Sequence, residues 1–187
     1  MVETAMKKHR LLWSLATLAS FAYLAAMVIS GALPQQRQLV KFEAKGVMTL
    51  PPQRIARVDL IRGGNNVSFV RSGDSGWIRE DNKAPLPKAI AEKLSLAVQI
   101  MNTSGPVRVM EATEHRGTDP REFGLDKPRL SITLSEGAVP VLRAHFGGLN
   151  PDKFLQYMAV DGRQEVFLMS LFVGQYWSDL ADFAFAK

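Results

Sequence analysis

Residues that could bind a metal ion occur around His115. Three acidic residues flank it: Glu111, Glu114 and Asp119. Glu111 and His115 are four residues apart and would share a helix face, but the segment is more typical of a strand followed by a loop. His145 and Arg143 are two residues apart and share the outward face of a strand. The positive charge of Arg143 would disfavour a metal cation at His145. A metal site needs at least three convergent ligands, so we expect no metal site and no cofactor.

A second candidate is the tetrapeptide Gly73-Asp74-Ser75-Gly76, which matches the sequence around the nucleophile of chymotrypsin-like serine proteases. That chemistry needs a histidine base oriented by a carboxylate, and in those proteases the histidine comes earlier in the chain. The one histidine before Ser75 is His9, which precedes the long apolar segment. Gly, Asp and Ser are also turn residues. We therefore expect a hairpin turn and no catalytic residue, with a serine hydrolase using Ser75 as a remote alternative.

Composition excludes several other classes of site. The chain has 187 residues and no cysteine, so disulfides, thiolate metal sites and cysteine nucleophiles are ruled out. The net charge is +5, but three bases, Lys7, Lys8 and Arg10, form a cluster before the apolar segment, and no later stretch is a run of Lys and Arg. Gly147-Gly148 follows a strand without the helix that a phosphate-binding loop needs. We expect no nucleic-acid partner.

The apolar segment, residues 11–33, contains no charged residue. A helix of about 20 apolar residues crosses a bilayer, whereas the apolar core of a cleavable signal peptide has only about 7–15. Ser30-Gly31-Ala32 imitates a cleavage site, but we favour retention. The bases before the segment favour a cytoplasmic N-terminus. The sequence thus predicts a cytoplasmic tail (1–10), a transmembrane anchor (11–33), a linker (34–52) and an extracytoplasmic domain (53–187) at a bacterial inner membrane, with the domain in the periplasm.

Small residues form one stripe along this anchor: Ala19, Ala22, Ala26 and Ser30. In lipid, small side chains let two helices approach closely. We therefore treat the stripe as a candidate contact with another transmembrane helix, although alanine is common enough in such helices to produce it by chance.

The domain is predicted to be α+β. Residues 54–62, 67–71, 130–135 and 155–160 alternate as half-buried strands do, and hairpin turns separate several of them. Helices are expected from Pro87 to about Asn102 and from about Leu171 onward. This order suggests a mainly antiparallel sheet with two covering helices, arranged as two related β-β-β-α halves.

The last predicted helix has an apolar surface wider than one sheet face requires. Its polar residues, Gln175, Ser178, Asp179 and Asp182, fall within about 100° of the helix circumference. The excess apolar surface predicts a partner interface, which we assign to Phe172, Tyr176, Trp177 and Phe183. The alternative is that another part of the domain, such as the loop 113–126, covers it.

Several short motifs resemble a known family. They are Phe123-Gly124-Leu125-Asp126-Lys127-Pro128, Phe146-Gly147-Gly148, Gln156-Tyr157-Met158, Glu165-Val166-Phe167-Leu168 and Gly76-Trp77. The chain resembles a bacterial family of membrane-tethered extracytoplasmic domains of unknown function, with an FGL-x-x-P element. Some members of that family resemble partners of ABC-transporter or gliding-motility components. The resemblance implies no catalytic residues.

Taken together, these features favour a non-enzymatic accessory subunit or assembly factor of a membrane complex. Its expected partners are other membrane protein subunits, with the lipid bilayer contacting residues 11–33. The alternative is a periplasmic binding module for a small molecule or a cell-wall ligand.

Overall fold

The computed structural model describes residues 2–29, 45–73 and 76–186. The chain divides into two compact units, Met1–Glu43 and Ala44–Lys187. The first contains helix α1, Val2–Ile29, and the side chains described along it, those of residues 13–28, are exposed. In the part of the chain that the structure describes, none of the helices has the length and hydropathy needed to cross a bilayer. The anchor over 11–33 stays a prediction.

The second unit is α+β, with eight antiparallel strands and two further helices. The strands are β1 (Arg57–Arg62), β2 (Asn65–Ser72), β3 (Gly76–Arg79), β4 (Arg108–Met110), β5 (Leu130–Glu136), β6 (Val139–Leu149), β7 (Leu155–Val160) and β8 (Val166–Ser170). The helices are α2 (Lys88–Thr103) and α3 (Leu171–Phe185). The predicted α+β class and the antiparallel sheet are confirmed.

The eight strands form one sheet in the order β3-β2-β1-β5-β6-β7-β8-β4. The meander β1-β2-β3 and the meander β5-β6-β7-β8 meet at the antiparallel pair β1–β5. The second meander thus has one strand more than the first, and β4 joins its outer edge by pairing with β8.

Both helices cover the same face of this sheet. Alternation places Val58, Leu60, Ile132 and Leu134 on the inner face, where they share one core with Leu94 of α2 and Trp177 of α3. Helix α3 contacts β5, β7 and β8 as well as α2. Much of the apolar excess predicted for α3 is therefore covered by α2 and the sheet, and not by the loop 113–126.

Part of the predicted linker packs on the domain. Val47 and Met48 are buried, and the backbone amide of Met48 donates to the carbonyl of Met101. The buried Asn102 side chain donates to the carbonyls of Met48 and Leu50, at 3.0 and 3.2 Å. Residues 45–50 therefore form a strap along the end of α2. The remainder of the predicted linker, 34–44, lies outside the described residues.

Candidate functional site

The predicted interface residues of α3 divide between surface and core. Phe172 is 47% exposed, whereas Tyr176 and Phe183 are half-buried. Because Phe172, Tyr176 and Phe183 are spaced by four and seven residues, they form one stripe along the helix. Trp177 is 0% exposed and belongs to the core. Its assignment to the interface was wrong, because the side of α3 on which it lies packs against the sheet.

A groove runs between α2 and α3 on their outer side. It has a volume of about 470 Å³, and its lining residues are Glu92, Lys93, Leu96, Phe172, Gln175, Tyr176 and Asp179. Leu96 is 41% exposed and supplies the apolar wall on α2. Phe172 and Tyr176 supply the wall on α3. Sequence reasoning missed Leu96, because a single leucine on the polar side of a helix is unremarkable until a second helix lies beside it.

One edge of the groove is held by a polar cluster. Lys93 donates to the carboxylate of Asp179, and its Nζ lies 5.6 Å from the centre of the Tyr176 ring. The bond from Lys93, followed by one from Gln175, lowers the pKa of the Asp179 carboxyl. Glu92, with its side chain 68% exposed, adds a negative charge to the same groove. The groove thus combines exposed apolar side chains with the charged residues Glu92, Lys93 and Asp179, of which the last two are paired with each other.

The α1 stripe is described only in part. Ala19, Ala22 and Ala26 are exposed on the helix, as are the other side chains described there. Ser30 lies outside the described residues. The stripe therefore stays a prediction.

The face of the sheet opposite the helices is partly covered by the segment that carries the FGL motif. Phe123 is buried, and its ring lies 4.9 Å from that of Tyr157, on the outer side of β7. Gly124 has a φ of 64°, the left-handed conformation that glycine adopts without strain. A Cβ on Gly147 would come within 2.3 Å of the Phe123 carbonyl oxygen, so only glycine lets the segment dock on β6. The motif thus has a packing role on the outer face.

The rest of that outer face is open and polar. A depression of about 740 Å³ lies over β1, β5 and the first half of β6. Its lining residues are Arg57, Asp59, Ile61, Asn66, Ser131, Thr133, Ser135, Gly137, Ala138, Pro140, Arg143, His145 and Asp161. Arg57 is bound by two carboxylates, those of Glu80 and Asp59, which raise the pKa of its guanidinium.

Three side chains in this depression form a continuous hydrogen-bonded chain. Ser131 Oγ lies 2.8 Å from His145 Nδ1, and His145 Nε2 lies 2.8 Å from Asp161 Oδ1. Ser131 and His145 are directly opposed on β5 and β6, and Asp161 directly follows the last residue of β7. Sequence reasoning examined His145 only as a metal ligand. The alternation of both strands places Ser131 and His145 on outer faces, but only the strand register shows that they meet.

The other two predicted chemical motifs are the tetrapeptide 73–76 and the acidic residues around His115. Asp74 and Ser75 lie outside the described residues, between Gly73 in its turn and the start of β3. Around His115, Glu114 accepts from Arg108, Asp119 caps a 3₁₀ turn at Arg121, and the histidine pairs with the Gln164 carbonyl at 3.0 Å. Within the residues described, no three His or acidic side chains converge on a point where a metal ion could sit.

Comparison with known proteins adds no assignment, since no protein family, curated protein or solved structure matches this chain. The resemblance to the FGL-x-x-P family therefore stays a prediction.

Proposed function

We propose that this chain is a single-pass accessory subunit or assembly factor of a bacterial inner-membrane complex, with its domain in the periplasm. The observation that carries the proposal is the groove between α2 and α3, where Leu96 and Phe172 remain 41% and 47% exposed beside the half-buried Tyr176. Exposed apolar side chains that cluster with an aromatic residue are characteristic of protein-binding surfaces. These apolar side chains favour a partner segment that carries an aliphatic or aromatic anchor, and the charged residues Glu92, Lys93 and Asp179 beside them can orient its polar groups.

The N-terminal segment supports the membrane part of this proposal. Residues 11–33 are uncharged, and bases precede them. Ala19, Ala22 and Ala26 would let a partner helix approach closely in lipid. We propose that the anchor contributes to assembly through this stripe. We also propose that the domain consists of two related β-β-β-α halves, one ending in α2 and the other in α3.

The test of docking is quantitative recovery of partners from native membranes. Four tagged full-length proteins are purified in mild detergent: the wild type, the groove variants Leu96→Asp and Phe172→Asp, and the control variant Val107→Asp. Val107 is the matched control, because it is an exposed valine, at 61%, that directly precedes the edge strand β4 and is not among the residues that line the groove. The proposal expects one membrane protein to be recovered in fixed ratio with wild type and Val107→Asp and to be lost from both groove variants. Equal recovery with all four would refute docking at the groove.

The anchor is tested separately. Ala22→Leu and Ala26→Leu are compared with Ala25→Leu, which the helical period of about 100° per residue places off the stripe. Partner recovery should fall for the first two and persist for the third. A phosphatase reporter that is active only outside the cytoplasm, fused after Lys187, should be active if the domain is periplasmic, and inactivity would refute that location.

A second candidate function is binding of a small polar molecule or a cell-wall fragment in the depression over β1, β5 and β6. Its favouring observation is the polar lining, which includes the side chains of Asn66, Ser131, Thr133 and Arg143. Shifts of the amide resonances of β5 and β6 on addition of muropeptides would support it, and unchanged spectra at millimolar muropeptide would refute it for that ligand class.

A further inference from the structure

The chain Ser131–His145–Asp161 has the connectivity that activates a serine nucleophile. The ionised carboxylate of Asp161 can only accept a hydrogen bond, so His145 Nε2 must carry the proton in their 2.8 Å contact. Nδ1 of the neutral imidazole is then an acceptor. The Ser131 hydroxyl, 2.8 Å away, therefore donates its proton to Nδ1. A serine that donates to a histidine oriented by a carboxylate is the arrangement of acyl-transfer enzymes, here with the two ring nitrogens exchanged.

This relay opens toward solvent at the depression. The side chain of His145 is 30% exposed and that of Asp161 is 50% exposed. The depression of about 740 Å³ has room for a small acyl group above the Ser131 hydroxyl. A buried cross-strand hydrogen bond would leave no such access, whereas a nucleophile requires it.

A positive charge lies at the same place. Arg143 is two residues before His145 on β6 and faces the same side, and its side chain is 53% exposed. Its Nη1 lies 3.8 Å from Asp161 Oδ2, a distance too long for a hydrogen bond. The guanidinium is thus paired with Asp161 by charge alone, and its N–H donors can hydrogen-bond a substrate oxygen. The backbone amides of β5 and β6 that take part in the sheet ladder cannot serve there, so a side chain must supply the stabilising charge.

From these contacts we propose that the depression hydrolyses small carboxylic esters, with Ser131 as nucleophile, His145 as general base and Arg143 as the group that stabilises the oxyanion. Ser131 Oγ forms a bond to the carbonyl carbon while its proton moves to His145 Nδ1. The carbonyl π electrons move to oxygen, giving an anion beside Arg143. Collapse of this intermediate expels the alcohol, which takes the proton from Nδ1. Water then attacks the acyl-serine by the same route, releases the carboxylic acid and restores the hydroxyl.

Asp161 acts as a positioning residue in this scheme. It fixes the tautomer and stabilises the imidazolium that forms in each step. The inference goes beyond docking, because it uses the opposite face of the sheet from α2 and α3. Esterolysis and partner recovery can therefore fail independently.

The test uses the purified full-length chain with p-nitrophenyl acetate and with a fluorophosphonate probe. Ser68→Ala is the matched control, because Ser68 is a serine on the same face whose hydroxyl donates to the Asp59 carboxylate rather than to a histidine. We expect Ser131→Ala and His145→Gln to lower kcat/KM by at least about 10²-fold, while Ser68→Ala retains wild-type values. Arg143→Gln should lower kcat with little change in KM, since the oxyanion exists only after attack.

Two further measurements test the proposal if Ser131→Ala or His145→Gln fails to fold. Peptide mass spectrometry of the labelled wild-type chain should place the fluorophosphonate adduct on Ser131. In Asp161→Asn kcat should fall with little change in KM, because the carboxylate that fixes the tautomer of His145 is lost while the depression that binds the ester is unchanged. Absence of hydrolysis and of labelling in the wild type, an adduct on another residue, or equal rates in Ser131→Ala would overturn the proposal.

Discussion

The adjacent residues Tyr176 and Trp177 provide the sharpest test of how α3 divides between core and groove. Trp177 is 0% exposed, so Trp177→Ala removes a side chain of roughly 150–250 Å² from the core. At about 25 cal/mol per Å² this is about 4–6 kcal/mol, and measured Trp→Ala losses in cores are about 3–5. Trp177 Nε1 is also buried without a hydrogen-bond partner among the described residues. Because the substitution also removes this unpaired N–H, it offsets about 1 kcal/mol or more of that loss of stability.

We therefore expect Trp177→Ala to lower the free energy of unfolding by about 3–4 kcal/mol and Tm by on the order of 10 °C. Trp177→Phe keeps most of the apolar volume and removes the unpaired N–H, so it should cost less than about 2 kcal/mol. Tyr176→Ala, at a half-buried position on the groove, should cost about 1 kcal/mol but reduce partner recovery from membranes. Calorimetry of the full-length variants in detergent measures the three losses of stability, and purification from native membranes measures partner recovery.

The result that would refute this division is a Trp177→Ala protein with unchanged Tm and lost partner binding. Trp177 would then be a surface anchor, and the packing of α3 on the sheet would be incorrect. A Tyr176→Ala protein that loses stability as severely as Trp177→Ala would refute the groove in the same way.

Three other outcomes follow from particular contacts. Gly147→Ala should destabilise the domain by about 1–3 kcal/mol in urea denaturation, because its Cβ would meet the Phe123 carbonyl oxygen at 2.3 Å. The control Gly148→Ala should be nearly neutral, because its Cβ would lie 3.5 Å from the same oxygen. Equal effects of the two variants would contradict docking of Phe123 on β6. Asn102→Ala leaves the carbonyls of Met48 and Leu50 without their donor and should speed proteolytic cleavage at Lys45, and an unchanged rate would show that other contacts hold the strap. The lowered pKa of Asp179 means that its pair with Lys93 stabilises the fold above about pH 4 and that this contribution diminishes as the pH falls below that value. The partly exposed pair contributes less than about 1 kcal/mol, so the denaturant midpoints of wild type and Asp179→Asn should differ at pH 6 and approach each other as the pH is lowered from about 4. A difference that does not shrink as the pH is lowered would contradict this cause.

Several elements of the domain could be predicted from local patterns because they have a strong period. Leu130, Ile132 and Leu134 alternate with polar residues, and they form β5 with that same alternation of burial. Pro87 is the N-cap of α2, one residue before the first helical position that was predicted for it. What could not be predicted was which elements lie side by side. The apolar excess of α3 indicated a neighbour, but whether a loop, α2 or a partner covers it depends on tertiary packing.

On the outer face, too, local patterns could not predict which residues lie side by side. Ser131 meets His145 because β5 and β6 pair in a register that also opposes Leu130 to Phe146 and Ile132 to Ala144. A shift of that register by one residue would turn Ser131 into the core and Ile132 into solvent. The burial of Ile132 and Leu134 therefore fixes the relay as well as the core. Hydrophobic burial on one face thus places polar chemistry on the other, and polar substitutions on the outer face should change that chemistry while leaving the pairing intact.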